Sequence, residues 1–295
     1  MTTQNIKKKQ HYVPQFYLNG FTNNERKLYC FKKENGQSFY AHPADICRDL
    51  FHYEVPWGQF NNLIGQNYVL QGTIEDAFGE RERVFAPTLK RIISICSSNV
   101  NKNALICSKE EHETLCEMIA DFIVRNPNSI NKKYFSEEKE RISHTDDFKV
   151  FSNDAKSLGF NDITPIIEYV QQSELYGMGD FDKTFMRIKE NLLELTYAFH
   201  LSQKSFITSD SPVIYKIEDE KIAMAYLPLC SHLAVTFSNK CKNRNCRNRC
   251  SYLSDDLIKK CNGQYIDYDL SHLLISNKCF SINDFERVNR KDISK

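Results

Sequence analysis

TYAFHLS, residues 196–202, is where the chain changes its period. Thr196, Ala198 and His200 alternate with Tyr197, Phe199 and Leu201, a repeat of two that belongs to a strand. The residues just before it, 181–195, repeat at 3.6 instead, with Phe185, Ile188 and Leu192 on one side of a helix. Beyond it, KSFITSD (204–210), PVIYKIE (212–218), IAMAYLPL (222–229) and HLAVTFS (232–238) are short, β-branched or aromatic, and divided by turn residues. Helix on one side of this boundary and successive strands on the other predict an α+β fold with a C-terminal antiparallel sheet.

Upstream, residues 28–42 read LYCFKKENGQSFYAH, two β-prone runs around Asn35-Gly36, the dipeptide that most strongly signals a hairpin. A long helical pattern follows from about 72 to 96, with Ile74, Phe78, Phe85, Leu89 and Ile92 along one face and Pro87 expected to kink or split it. Ser108 and Glu111 form a capping box ahead of the stripe Leu115, Ile119 and Phe122, and Pro127 closes that helix. The polar stretch 136–160 reads as a flexible excursion, and Thr164-Pro165 as the start of another helix. Helices return over about 254–276. Nothing has the composition of an interdomain linker, so residues 1–295 read as one domain.

The charge balance bounds the partners. Thirty-nine basic against thirty-eight acidic residues leave a net charge of +1, so a nucleic-acid surface must be a local patch. Lys7, Lys8 and Lys9 have no apolar run behind them, as a secretory signal would. No stretch approaches the roughly 20 apolar residues of a membrane helix, so no membrane partner is expected. Eleven cysteines without a secretory signal point to reduced thiols and a cytoplasmic setting.

HYVPQFYLNGF, residues 11–21, is the other unusual stretch. Pro14 stands where a first helical position belongs and Gly20 where a C′ residue belongs, so PQFYLN reads as a short helix that packs Tyr12, Phe16 and Phe21. His11 lies just before it. It either meets an anion beside free backbone amides or is a hydrogen-bonded packing residue. In chain order with LYCFKKENG, ICRDLFHYE, TIEDAFGERERVFAPTLKRI, Arg125-Asn126-Pro127, FITSDSPVI and LPLCSHLAV, this stretch resembles the bacterial family catalogued as domain of unknown function 4238, over about residues 9–275. The family usually has Arg-Thr-Pro at residues 125–127, and often a glutamine near Phe122. Its name carries no reaction.

Two carboxylates on the long helix, Glu75 and Glu82, stand seven residues apart, close to two turns, and so point the same way near Phe78. Carboxylates on such a face need a cation, an arginine or a shared proton, and Arg125 on the next helix is a candidate partner. In FITSDSPVI, Ser209 and Asp210 stand where an apolar strand ends. Asp210 is either a turn former capping its own backbone or a rigidly held metal ligand or general base. His11, Glu75, Glu82 and Asp210 are the candidate catalytic set, with Glu75, Glu82 and Asp210 as oxygen ligands for Mg²⁺ or Mn²⁺. Arg125, Ser209, Arg244 and Arg247 are candidate substrate contacts. Cys241, Cys246, Cys250 and Cys261 lack the C-x₂-C spacing usual for structural zinc. The cations Lys240, Lys242, Arg244, Arg247 and Arg249 either grip phosphates or form a solvated loop.

There is no P-loop, G-x-G-x-x-G, H-E-x-x-H or G-x-S-x-G. The leading expectation is a metal-assisted phosphodiester hydrolase, nuclease-like, acting as a bacterial toxic or anti-phage defence effector with nucleic acid as substrate or a protein partner in a defence complex. The alternative is a non-catalytic nucleic-acid- or protein-binding module in which the motif residues hold the fold. A transferase or glycosidase using Glu75 or Asp210 is the third reading. Oligomeric state is open.

Overall fold

A computed structural model describes residues 9–50, 73–98, 106–126, 146–157, 180–219, 221–239 and 250–286. In chain order the elements are β1 (Lys9–His11), α1 (Gln15–Leu18), β2 (Leu28–Lys32), β3 (Ser38–Ala41), β4 (Arg48–Leu50), α2 (Thr73–Ser98), α3 (Lys109–Arg125), α4 (Asp146–Ser157), α5 (Asp180–Glu194), β5 (Thr196–Leu201), β6 (Thr208–Ser209), β7 (Ile214–Glu218), β8 (Lys221–Cys230), β9 (Leu233–Ser238), β10 (Cys250–Tyr252), α6 (Asp255–Asp267) and β11 (Leu273–Ser276). The class is α+β, with an N-terminal hairpin, a helical middle and a largely antiparallel C-terminal sheet.

Among the described residues the strands form three sheets: β1-β4, the five-stranded β10-β5-β9-β8-β7, and the four-stranded β3-β2-β11-β6. Every pairing is antiparallel except β10 on β5. The hairpin turns at Gly36, whose φ of +70° lies in the left-handed region that Asn-Gly turns use. α2 runs through Pro87 as a single helix, burying Phe78, Phe85, Leu89 and Ile92. α3 opens on the expected capping box, Ser108 accepting from the Glu111 amide while Glu111 accepts from the Ser108 amide. It ends at Asn126, whose extended backbone is what the residue before Pro127 is pushed to adopt.

Several expectations need correcting. Residues 268–276 are not helical. α6 stops at Asp267, where Lys33 Nζ donates to the Tyr265 and Tyr268 carbonyls at 3.1 and 2.9 Å and so caps the helix end with a cation. The chain then turns and enters β11, which pairs with β2 on one side and β6 on the other. The expected strand 204–210 is laddered only at Thr208–Ser209, and it lies in the sheet of the N-terminal hairpin, not with β5, β7, β8 and β9. The stretch 136–160, read as a flexible excursion, contains the helix Asp146–Ser157. Its apolar residues Phe148, Phe151 and Ala155 do recur at helical spacing. Thr164-Pro165 lies outside the described residues.

In the opening motif Pro14 is the N-cap, with extended backbone at ψ 142°, and not the first helical residue. Gly20 is not a left-handed C′ residue. It sits in the 3₁₀ turn Asn19–Phe21, where a Cβ would come within 3.1 Å of Cys230 Cβ and 3.3 Å of Cys230 Cα. Its carbonyl accepts from the Ser231 amide at 3.0 Å. A glycine here lets the two segments approach closely, and a larger residue would press on Cys230 and the Leu229 carbonyl. Val13, Tyr17, Leu18 and Phe21 enter the main core, while Tyr12 and Phe16 pack against it half-buried. Each fully buried side chain of this size contributes about 1.5–3 kcal/mol.

Candidate functional site

The motifs that stood apart in sequence meet at one place, and Arg125 is its centre. This guanidinium comes from the last turn of α3 and is 1% exposed, and its Cζ lies 4.2 Å from the centroid of the Phe78 ring on α2. Arg125 Nη1 donates to Glu82 Oε1 at 2.8 Å and to Asp121 Oδ2 at 3.1 Å. Nη2 donates to the His11 carbonyl at 2.7 Å. Asp121 is fully buried, and its other oxygen accepts from Arg81 Nη1 at 3.3 Å. Arg81 in turn lies 4.6 Å from the Phe185 ring. Two arginines and two acids thus alternate across α2 and α3, with aromatic rings on their flanks.

The next residue extends the network. Asn126 Nδ2 donates to the Asp210 carbonyl oxygen at 2.8 Å. The Asp210 carboxylate turns the other way, and its Oδ1 accepts from the His272 and Leu273 amides at 2.9 and 3.0 Å. The Asp210 amide donates to the Leu273 carbonyl at 3.0 Å. Burial raises the Asp210 carboxyl above the ordinary aspartate value, and the two amides only partly offset it. Ser209, fully buried, accepts from the Ser211 amide and donates to the Ser211 carbonyl. Thr208 Oγ1 lies 2.7 Å from the Tyr17 hydroxyl, which also donates to the Pro228 carbonyl at 2.8 Å. The Pro212 carbonyl accepts from Tyr265. Every residue from Thr208 to Pro212 except Ser211's side chain is thereby tied to an element distant in sequence or to its own turn.

Of the candidate catalytic set, His11, Glu82 and Asp210 are brought into one network through Arg125-Asn126. Glu75 stands half-buried two turns before Glu82 on α2. His11 ends β1 opposite Arg48. Burial, then the charge of Arg48, lowers its pKa, while hydrogen bonds with the Ala44 and Pro43 backbone act in the other direction. That favours the neutral imidazole. Arg125 and Ser209, expected to touch substrate, are buried. Arg244, Arg247, Cys241 and Cys246 lie outside the described residues. The Cys250 sulfur faces Cys96 and that of Cys261 faces the Tyr226 hydroxyl. Among the described residues, no group of three or more His, Cys, Asp and Glu side chains is placed to hold a metal ion.

The sequence reading missed Asp121, Arg81 and Asn126. Asp121 carried a signal, since an acid four residues before Arg125, on the apolar side of a helix, is placed for an i,i+4 pair. The Asn126 contact joins α3 to the Thr208–Pro212 turn, and no local pattern marks it.

The chain belongs to the family described as Protein of unknown function (DUF4238), whose model matches residues 9–270. None of the curated proteins and none of the solved structures matches it. No described helix is long and apolar enough to cross a membrane.

Proposed function

We propose that this protein is a non-catalytic nucleic-acid-binding module whose signature residues hold the fold and whose basic run at residues 240–249 meets phosphate. One observation carries the non-catalytic half. The carboxylates of Glu82, Asp121 and Asp210 all have internal partners, arginine for the first two and backbone amides for the third. A metal-assisted phosphodiester hydrolase, the leading expectation from sequence, needs oxygen ligands free to face a cation and a nucleophilic water. The pairing of Glu82 and Asp210 leaves that mechanism poorly supplied. The binding half rests on Lys240, Lys242, Arg244, Arg247 and Arg249, a run without an acid between β9 and β10, which suits contacts to phosphate.

The test uses fluorescence anisotropy with labelled single-stranded RNA, single-stranded DNA and duplex DNA across a salt series, with and without Mg²⁺ or Mn²⁺. Salt-dependent binding without strand cleavage is expected. Arg244→Gln with Arg247→Gln should lower the salt slope by about one for each phosphate that is no longer neutralised. Cation-dependent cleavage that Asp210→Asn abolishes at unchanged melting temperature would restore the hydrolase. Absence of binding to all three probes at about 50 mM salt would point to a protein partner instead.

A further inference from the structure

A cleft of about 550 Å³ opens between α6, the segment entering β6 and the segment that leaves β11. Its size falls within the range of small-molecule sites. Ile258, Phe280 and Phe285 supply an apolar wall, the two rings lying 5.2 Å apart. Lys204, Lys259 and Lys278 stand around it. Asp284, the lining acid, uses its carboxylate on the Ser281 amide at 2.9 Å. Lys204 and Lys259 bridge to Asp255 and Asp256 in pairs about half exposed or more, a class of bridge worth little and readily exchanged for another anion. Lys278 is exposed at the cleft.

A second observation marks this cleft as built. Gly263 lies inside α6, where glycine costs about 1 kcal/mol relative to alanine. A Cβ there would collide with the Glu286 carbonyl, coming within 2.9 Å of its carbon. The helix thus gives up a side chain so that the segment after β11 can lie against it and form the second wall. Residues 276–286 lie past residue 270, where the family match ends, while the lining from α6 and from the segment entering β6 lies within it.

We propose that this cleft binds a small organic anion with a flat apolar ring, the ring against Phe280 and Phe285 and the anionic group at Lys278, with Lys204 and Lys259 released from their aspartates to assist. Ring and charge are recognised together, because aromatic stacking and a cation of a charge-assisted pair sit at one rim. The inference stands apart from the nucleic-acid reading, since none of the lining residues lies in the 240–249 run.

Calorimetric titration of the full chain with AMP and with 2-naphthoate tests it. Saturable binding of at least one is expected, weakened about tenfold or more by Lys278→Glu and kept by Lys278→Arg. Adenosine, without the charge, and ribose 5-phosphate, without the ring, should both bind more weakly than AMP if AMP is the binder. Lys278 is exposed, so Lys278→Glu should fold, which its melting curve verifies. Arg244→Gln with Arg247→Gln should leave the titration unchanged. Failure of both anions to bind at about 10 mM, or binding indifferent to Lys278→Glu in a folded protein, overturns the proposal.

Discussion

Asp121 and Arg125 face each other across one turn of α3 with almost no solvent between them: their side chains are 0% and 1% exposed and Nη1 lies 3.1 Å from Oδ2. A buried pair of this kind contributes little net stability compared with apolar replacements, yet removing one partner strands the other. Arg125→Met should therefore cost about 3–5 kcal/mol in urea unfolding. Arg125→Lys should recover only part of it. A single ammonium cannot serve Glu82, Asp121 and the His11 carbonyl with the geometry of a planar fork. A decrease below about 1 kcal/mol in Arg125→Met would show that the network is not what holds α2 to α3.

The two titrating residues of the junction should tilt stability in opposite directions with pH. Burial raises the Asp210 carboxyl, so the folded state keeps that proton while the unfolded chain releases it. Its contribution is full below the ordinary aspartate value and fades as pH rises through the raised one. Burial lowers His11, so its contribution is full above the ordinary histidine value and fades as pH falls through the lowered one. Urea titrations from acid to neutral pH should show wild type losing ground to Asp210→Asn as pH rises above about 4, and losing ground to His11→Gln as pH drops below about 6.5. Parallel curves for wild type and either variant would remove that residue from the linkage.

Gly20→Ala should destabilise by about 1–3 kcal/mol, because the new methyl meets the Cys230 backbone, which β8 holds in place. Gly36→Ala should also destabilise, for a different reason, the positive φ of the hairpin turn. Pairing each with Cys230→Gly separates them in thermal melts. Removing the Cys230 side chain, Cβ included, leaves its Cα and the Leu229 carbonyl within 3.3 Å, so Gly20→Ala should remain impaired, and full rescue would count against a backbone clash.

The nine described cysteines carry free thiols. Counting with a thiol reagent in denaturant, without reductant, should give all eleven of the sequence. In the folded protein Cys279, the exposed one of the nine, should react first. Cys30 and Cys107 should lag by orders of magnitude, since burial pushes both thiols up to about 12. A count well below eleven in denaturant would reveal a disulfide.

What sequence can disclose here is local. The Asn35-Gly36 turn, the Ser108–Glu111 box and the stripes of α2 and α3 each depend on residues a few positions apart, and each is found where the pattern puts it. β11 reads as helix in sequence because LLIS carries no period of its own, and its identity as a strand comes from β2 and β6 on either side. Gly20 reads as a helix-ending residue, yet its reason is Cys230, across two hundred residues of chain. The same holds at the candidate site. His11, Glu82, Arg125 and Asp210 are recognisable as unusual residues, but their partners, the Asn126 amide and the His272 and Leu273 backbone, are supplied by tertiary structure alone.

The order β3-β2-β11-β6 has a consequence for how the chain is made. Leu28–Lys32 emerges early from the ribosome, yet one of its sheet edges stays open until Leu273–Ser276 has been synthesised. The opening motif waits as well, because Tyr17 needs Thr208 and Pro228, and His11 needs Arg125. Loop closure over such distances is slow, and an unpaired hairpin edge is a template for the wrong strand in the meantime. Nascent chains cut short before β11 should thus be the aggregation-prone species, and translation speed between β2 and β11 becomes a determinant of yield.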